Sequence, residues 1–230
     1  MLVSHRHRFI YTKTVKTAGT SVEVYFEPYC VPEGQWRFSH AHPEHVSDAG
    51  IVGFRGSDRE KEGANWWNHM PAAGIRRQLG EELWSRYFKF AVIRNPFDKA
   101  ISAFHFSQRK RRHGGLFERV RNWFHSPKGD LRTQFKQWMR NGGLVIDHDK
   151  YLIDGELCLD YFIRYEQLAQ GIEHVCKTVG VPFRPDDIPR LKTGTRPARE
   201  MAEYYDPEAV DLVAARYRWE LDYFGYAPPI

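Results

Sequence analysis

The segment that most constrains the fold is Tyr87-Phe88-Lys89-Phe90-Ala91-Val92-Ile93-Arg94, a mostly apolar run closed by Asn95-Pro96. Such a run reads as a central strand buried on both faces, and a strand of that kind needs helices packed over the sheet on either side. Asn95 is placed to cap the next helix and Pro96 to occupy its first turn. The same grammar recurs along the chain. Arg8–Lys13 alternates as a strand and runs into Thr14–Ser21, after which Val22, Tyr25 and Phe26 fall at helical spacing. A helix starts at Pro71, with Ile75, Leu79 and Leu83 on one stripe and Gly80 bending it. Leu159–Arg164 reads as a strand, and Tyr165–Val179 as a helix stopped by Gly180. Asp206 caps a last helix with the stripe Val210, Val213, Tyr217 and Leu221. Strands alternating with helices predict an α/β fold of three layers, a central, mostly parallel sheet flanked by helices.

With 230 residues and no internal repeat, low-complexity tract or Gly/Ser-rich linker, the expectation is a single domain over 1–230. Hydrophobic residues at 42% and aromatics at 15% suffice for a core and exclude a disordered chain. No window approaches the roughly 18 apolar residues of a membrane span. Met1–Arg8 is basic and polar, without the apolar stretch of a secretory signal. Cys30, Cys158 and Cys176 are odd in number and far apart, which predicts reduced thiols, no zinc knuckle and a cytoplasmic location. The formal net charge of +5 fits a protein that handles phosphate or sulfate groups, a nucleic acid, or nothing in particular.

Ligands of open α/β sheets bind outside the carboxyl ends of the strands. Two strand ends carry suitable chemistry. Lys16-Thr17-Ala18-Gly19-Thr20-Ser21 offers a glycine for close backbone approach, hydroxyl donors, and a lysine at a helix N-terminus. Its lysine precedes the glycine, whereas the nucleotide P-loop places lysine after its second glycine. Read alone, the segment fits an anion cradle and an ordinary strand-to-helix turn alike. At the second strand end, Arg94 is followed eight residues on by Ser102, just over two helical turns later, so a guanidinium fork and a hydroxyl can face one phosphate monoester.

Together these two motifs resemble the phosphosulfate loop and 3′-phosphate motif of sulfotransferases that use 3′-phosphoadenosine 5′-phosphosulfate (PAPS), in particular the carbohydrate branch with the 2-O-sulfotransferases. Tyr87–Phe90 before Arg94-Asn95-Pro96, Ile163–Glu166 and Phe224–Tyr226 share that likeness, which spans residues 8–226. The resemblance implies a P-loop-like phosphosulfate-binding loop and transfer of a sulfuryl group from PAPS to an acceptor hydroxyl, with no metal required. It puts Lys16 on the bridging oxygen and 5′-phosphate, with Thr17, Ala18, Gly19, Thr20 and Ser21 around them. Arg94 and Ser102 are implied for the 3′-phosphate, and Lys13 for a basic position near the cofactor. Lys192 and Thr193 match the late loop over the nucleotide, where a solvated loop is the other reading. The implied general base is His69, in Trp66-Trp67-Asn68-His69-Met70-Pro71; read without the resemblance, His69 also fits a cap on the following helix. Glu23 is the rival base.

The implied acceptor is a carbohydrate or another hydroxyl compound, with anionic character if the basic run Arg109-Lys110-Arg111-Arg112-His113 lines its groove. The irregular stretch 28–68, with His40, His42 and His45, and the region 107–157 are expected to shape that site. Animal members of the branch are membrane-anchored, so the chain is expected to be a soluble, bacterial-type member. Two other readings compete. A nucleotide or small-molecule kinase would need a Walker-type lysine after glycine. A nucleic-acid-binding protein would use the 109–113 run beside Phe104, Phe106 and Trp123, but no recognised module surrounds it, and no nucleic-acid partner is expected.

Overall fold

The computed structural model describes residues 1–56, 63–113, 129–189, 191 and 199–230, with residues 110–113 described by backbone alone. The chain forms two compact units, Met1–Ile93 with Asp147–Leu191, and Arg94–Ile146 with Lys192–Ile230.

The first unit holds a six-stranded sheet. Strands β1 (Leu2–Ser4) and β2 (Phe9–Tyr11) form an antiparallel hairpin, and β3 (His45–Ser47) pairs antiparallel with β4 (Gly50–Val52). Strand β5 (Phe88–Ile93) is the predicted central strand, and a small hairpin of β6 (Leu152–Ile153) and β7 (Glu156–Leu157) precedes β8 (Tyr161–Arg164). The sheet order is β3-β4-β1-β2-β5-β8, parallel through β2-β5-β8 and antiparallel elsewhere.

The sheet is therefore mixed rather than mostly parallel. The difference comes from β1, hidden in what reads as a basic, polar N-terminal segment. Leu2 and Val3 are fully buried, and the charged residues of that segment sit in the turn joining β1 to β2, where Arg8 takes a φ of 51°. Antiparallel neighbours need only such a short turn, whereas parallel ones need a crossover, so a three-residue strand leaves no helix as its signature.

The pleat sorts the sheet residues onto two faces. Leu2, Phe9, Tyr11, Val52, Phe90 and Val92 pack against helix α1 (Gly19–Phe26) through Val22, Tyr25 and Phe26. Val3, Ile10 and Ile51 face the other way, onto Trp66, Met70 and two helices, α2 (Ala72–Leu79) and α3 (Glu81–Arg86). The Pro71 helix is thus broken rather than bent, because Gly80 leaves helical space at φ 83°, ψ 157°.

In the second unit, α4 (Pro96–His113) starts as expected, with Asn95 Oδ1 accepting from the Phe97 amide at 2.9 Å. Helix α5 (Leu131–Trp138) packs Phe135 and Trp138 against Phe104. Back in the sheet unit, α6 (Leu168–Val179) lays Ile172, Val175 and Cys176 on the α1 face and ends at Gly180 in the left-handed region. The predicted last helix is two, α7 (Pro207–Arg216) and α8 (Arg218–Phe224), joined at Tyr217. Asp206 caps α7, accepting from the Ala209 amide at 2.9 Å. No described helix is long and apolar enough to cross a membrane.

Candidate active site

The loop after β2 is shaped by its own backbone. Lys16 and Ala18 both adopt positive φ, 64° and 63°, whereas Thr17 between them does not, and a backbone whose φ alternates in sign can turn successive amides toward one anion. The Gly19 and Thr20 amides then open α1, where no preceding turn supplies them a carbonyl. Ala18 is the N-cap, without a side-chain cap, and no acidic residue lies in the first turn. All of these features favour a bound oxyanion.

The side chains divide the labour. Thr14 donates its hydroxyl to Val92 O at 2.5 Å and accepts from Thr17 at 2.7 Å, so these two hydroxyls fix the loop to β5. Thr17 is fully buried, whereas Lys16, Ala18 and Thr20 are half-buried. Both Asp147 oxygens lie 3.1 Å from the Val15 amide and hold the loop's entry. Gly19 leaves little room for a side chain: a Cβ there would stand 3.0 Å from Lys13 Cγ and 3.1 Å from both Thr14 O and Tyr11 Oη.

Behind the loop lies a buried charge cluster. Glu23, fully enclosed, accepts from the Met1 amino group at 3.0 Å and from Lys13 Nζ and Arg55 Nη1 at 2.7 Å each. Burial alone would raise its pKa, but the charges of Lys13, the amino terminus and Arg55 outweigh burial and hold it well below the usual carboxylate range. Arg55 also pairs with Glu27 and donates to Ser39 O at 2.6 Å and His40 O at 3.2 Å, tying α1 to the irregular 36–42 stretch. An isolated carboxylate could not be buried this deeply; each oxygen here is matched by a cation.

His69 sits at the edge of this cluster with a φ of 56°, a left-handed conformation uncommon for a residue with a side chain. Its ring does not cap α2, whose N-cap is Pro71. Instead Nδ1 lies 3.0 Å from the carbonyl oxygen of Lys13. A carbonyl only accepts, so Nδ1 carries the hydrogen and Nε2 the basic lone pair. Burial first, and then the positive charge of Lys13, push the imidazole pKa down to about 3, so the ring is neutral near pH 7. Its neighbour Asn68 accepts from Lys13 Nζ at 3.1 Å through its side chain and donates its amide to Phe54 O at 2.9 Å. Phe54, with His42, Pro43, Glu44 and Arg55, lines a cavity of about 440 Å³ one residue away from His69 along that pairing.

The sequence-predicted residues divide accordingly. Lys13, Lys16, Thr17, Ala18, Gly19, Thr20, Ser21 and His69 belong to the sheet unit, and the Lys13 ammonium points into the Glu23 cluster, 3% exposed. Arg94 and Ser102 belong to the helical unit, where Arg94 Nε donates to Asp98 at 2.6 Å, fixing the plane of the guanidinium. Lys192 and Thr193 lie outside the described residues, as do Trp123 and the side chains of Lys110–His113. Among the described residues, no group of His, Cys, Asp or Glu is gathered to hold a metal ion. Sequence reasoning missed Asn68, Arg55 and Asp147. Each sits far along the chain from the residue it supports, so no spacing signals it.

The sheet unit therefore carries, after one strand, a loop with features that favour an anion and, at the carbonyl of Lys13, an imidazole whose Nδ1 is held. Residues 1–227 match the family model described as the sulfotransferase family, and the chain belongs to that family of sulfuryl-transferring enzymes. It is 28% identical over 120 residues to an Archaeoglobus fulgidus protein described only as uncharacterized, a match covering 51% of this chain and 88% of that one. No solved structure matches.

Proposed function

We propose that the chain transfers the sulfuryl group of PAPS to a hydroxyl of a carbohydrate acceptor, with His69 as general base. The observation that carries this reading is the Lys13 O contact with His69 Nδ1, which leaves Nε2 as the proton-accepting atom. The amide row at 16–20, the uncapped α1 and Lys16 fit the phosphosulfate end of PAPS, and the guanidinium of Arg94 with Ser102 fits its 3′-phosphate. Bound there, PAPS supplies an activated sulfuryl group, released as its S–O bond to the 5′-phosphate breaks.

Lys16 and the Gly19 and Thr20 amides stabilise negative charge growing on an oxygen held in the loop, where they need no reorganisation. His69 Nε2 takes the proton of the acceptor hydroxyl. The low basicity of the ring reflects burial and the nearby Lys13 charge, so an anion in the loop offsets that charge and strengthens the base when it is needed. Half-exposed Trp67, bridged to Phe54 at the cavity wall, provides an apolar face suited to a sugar ring.

Thermal shifts with adenosine 3′,5′-bisphosphate (PAP), ATP and AMP in parallel test the donor assignment. The expected result is a clear PAP shift that Lys16→Ala and Arg94→Ala each remove. Equal shifts with AMP and PAP would refute the 3′-phosphate assignment. His69→Ala is expected to slow conversion of PAPS to PAP in the presence of a glycan mixture by about 10²–10⁴-fold.

A further inference from the structure

The position of Lys13 is at odds with a simple role as a donor ligand. It follows β2, where the Thr12 amide bonds to Phe90 O at 3.0 Å, so its backbone continues the sheet ladder. The side chain turns inward, and its ammonium lies between Glu23 Oε2 at 2.7 Å and Asn68 Oδ1 at 3.1 Å. Its carbonyl faces the other way, onto His69 Nδ1 at 3.0 Å. One residue therefore grips two consecutive positions of the 66–70 segment, Asn68 by its side chain and His69 by its main chain.

That segment needs such a grip. His69 is held in a left-handed backbone conformation, which is strained for a residue with a side chain and persists only where the surroundings enforce it. Met70, fully buried, anchors the segment on one side, and the Asn68 amide bond to Phe54 O anchors it on the other. Neither contact touches the ring. The orientation of the imidazole rests on the Lys13 carbonyl, and the register between that carbonyl and the ring rests on the Lys13 ammonium holding Asn68. Glu23 in turn holds the ammonium. Both its oxygens face cations, the amino terminus and Lys13 with Arg55, so it is occupied as a counter-ion and not placed as a proton acceptor.

We propose that Lys13, clamped by Glu23, serves the base and not the donor: it is the positioning residue that fixes the orientation and tautomer of His69 through Asn68 and its own carbonyl. This inference rests on His69 being the base only for its functional meaning; the positioning itself is read without catalysis.

The test is imidazole ¹⁵N NMR on the full chain, with PAP binding measured alongside. In the wild type, His69 is expected wholly in the Nδ1–H form, opposite to the Nε2–H form that predominates in free histidine. Lys13→Met is expected to let the Nε2–H form appear while PAP affinity stays within about twofold of wild type, a change near 0.4 kcal/mol. Asn68→Ala, which leaves the ion cluster intact, is expected to do the same, and Asn68→Asp, whose carboxylate still accepts from the ammonium, to restore the single tautomer. If Lys13→Met fails to fold because Glu23 loses a partner, the two Asn68 variants decide the matter. A His69 that stays Nδ1–H in Asn68→Ala overturns the positioning role. A tenfold loss of PAP affinity in a folded Lys13→Met overturns the exclusion of Lys13 from the donor site. If His69→Ala keeps full activity, the base assignment fails by itself, whatever the tautomer does.

Discussion

His69 should make the stability of the protein depend on pH in a way that one substitution removes. Folding lowers its pKa from the ordinary 6.5 to about 3, with burial as the largest cause and the Lys13 charge next. As pH falls, the unfolded chain therefore binds a proton at this residue before the folded one does. Stability from this source is complete above pH 6.5, is lost as pH falls below it, and the loss levels off near 3. Between pH 7 and pH 5 the linkage relation gives a loss of about 2 kcal/mol, since each tenfold difference in proton affinity between the two states corresponds to roughly 1.4 kcal/mol. Other carboxylates and histidines also titrate in that range, so the useful quantity is a difference of differences. His69→Asn is the appropriate partner, because asparagine tolerates the left-handed backbone and its amide can still donate to Lys13 O. Urea unfolding followed by far-UV circular dichroism, at pH 7 and pH 5, gives the unfolding free energy of both proteins. The gap between wild type and His69→Asn is expected to move by about 2 kcal/mol in favour of the variant at the lower pH. A gap that stays constant within about 0.5 kcal/mol would refute the buried, neutral imidazole and with it the tautomer argument.

Gly19→Ala sets two effects of similar size against each other: helix propensity gains about 1 kcal/mol, while the new methyl presses on Lys13, Thr14 O and Tyr11 at 3.0–3.1 Å. The melting temperature is expected to change little while PAP affinity falls about tenfold, equivalent to roughly 1.4 kcal/mol, because the displaced carbonyl belongs to the anion loop; unchanged affinity would mean the loop shape is not set there. Gly171→Ala on α6 would put a Cβ 2.6 Å from Ile163 Cγ2 and 3.3 Å from Ile163 Cα in β8, so a loss of about 1–3 kcal/mol by urea titration is expected, with no change in PAP binding. A neutral result would show that α6 can shift on the sheet.

What the sequence made legible follows from what the chemistry of a site must repeat. The β5 run, the Asn95 and Asp206 caps, the Gly180 stop and the glycine-bearing loop after β2 are local signals, each within a few residues of the structure it specifies. Strand β1 was illegible because three buried residues beside a turn rich in His and Arg carry no period. The split of the Pro71 helix turned on Gly80 adopting ψ 157°, which a glycine permits and does not announce.

The site shows the same division more sharply. Residues proposed to meet a ligand are legible because their types are restricted: a lysine, a glycine and hydroxyls at a strand end, an arginine before a helix, a histidine among aromatics. The contacts that brace the site, Asn68 with Lys13, Asp147 with Val15 and Arg55 with Glu23, join distant segments through common residue types, so no spacing announces them. Glu23 shows the cost of lacking that layer. By position on α1 it rivals His69 as the base, and only its three cationic partners separate the two. A carboxylate matched on both oxygens gains nothing by accepting a proton, whereas an imidazole held at Nδ1 by a carbonyl keeps Nε2 as its basic atom. The proposed roles thus follow from what each group faces, and Lys13 faces both, Glu23 with its ammonium and His69 with its carbonyl.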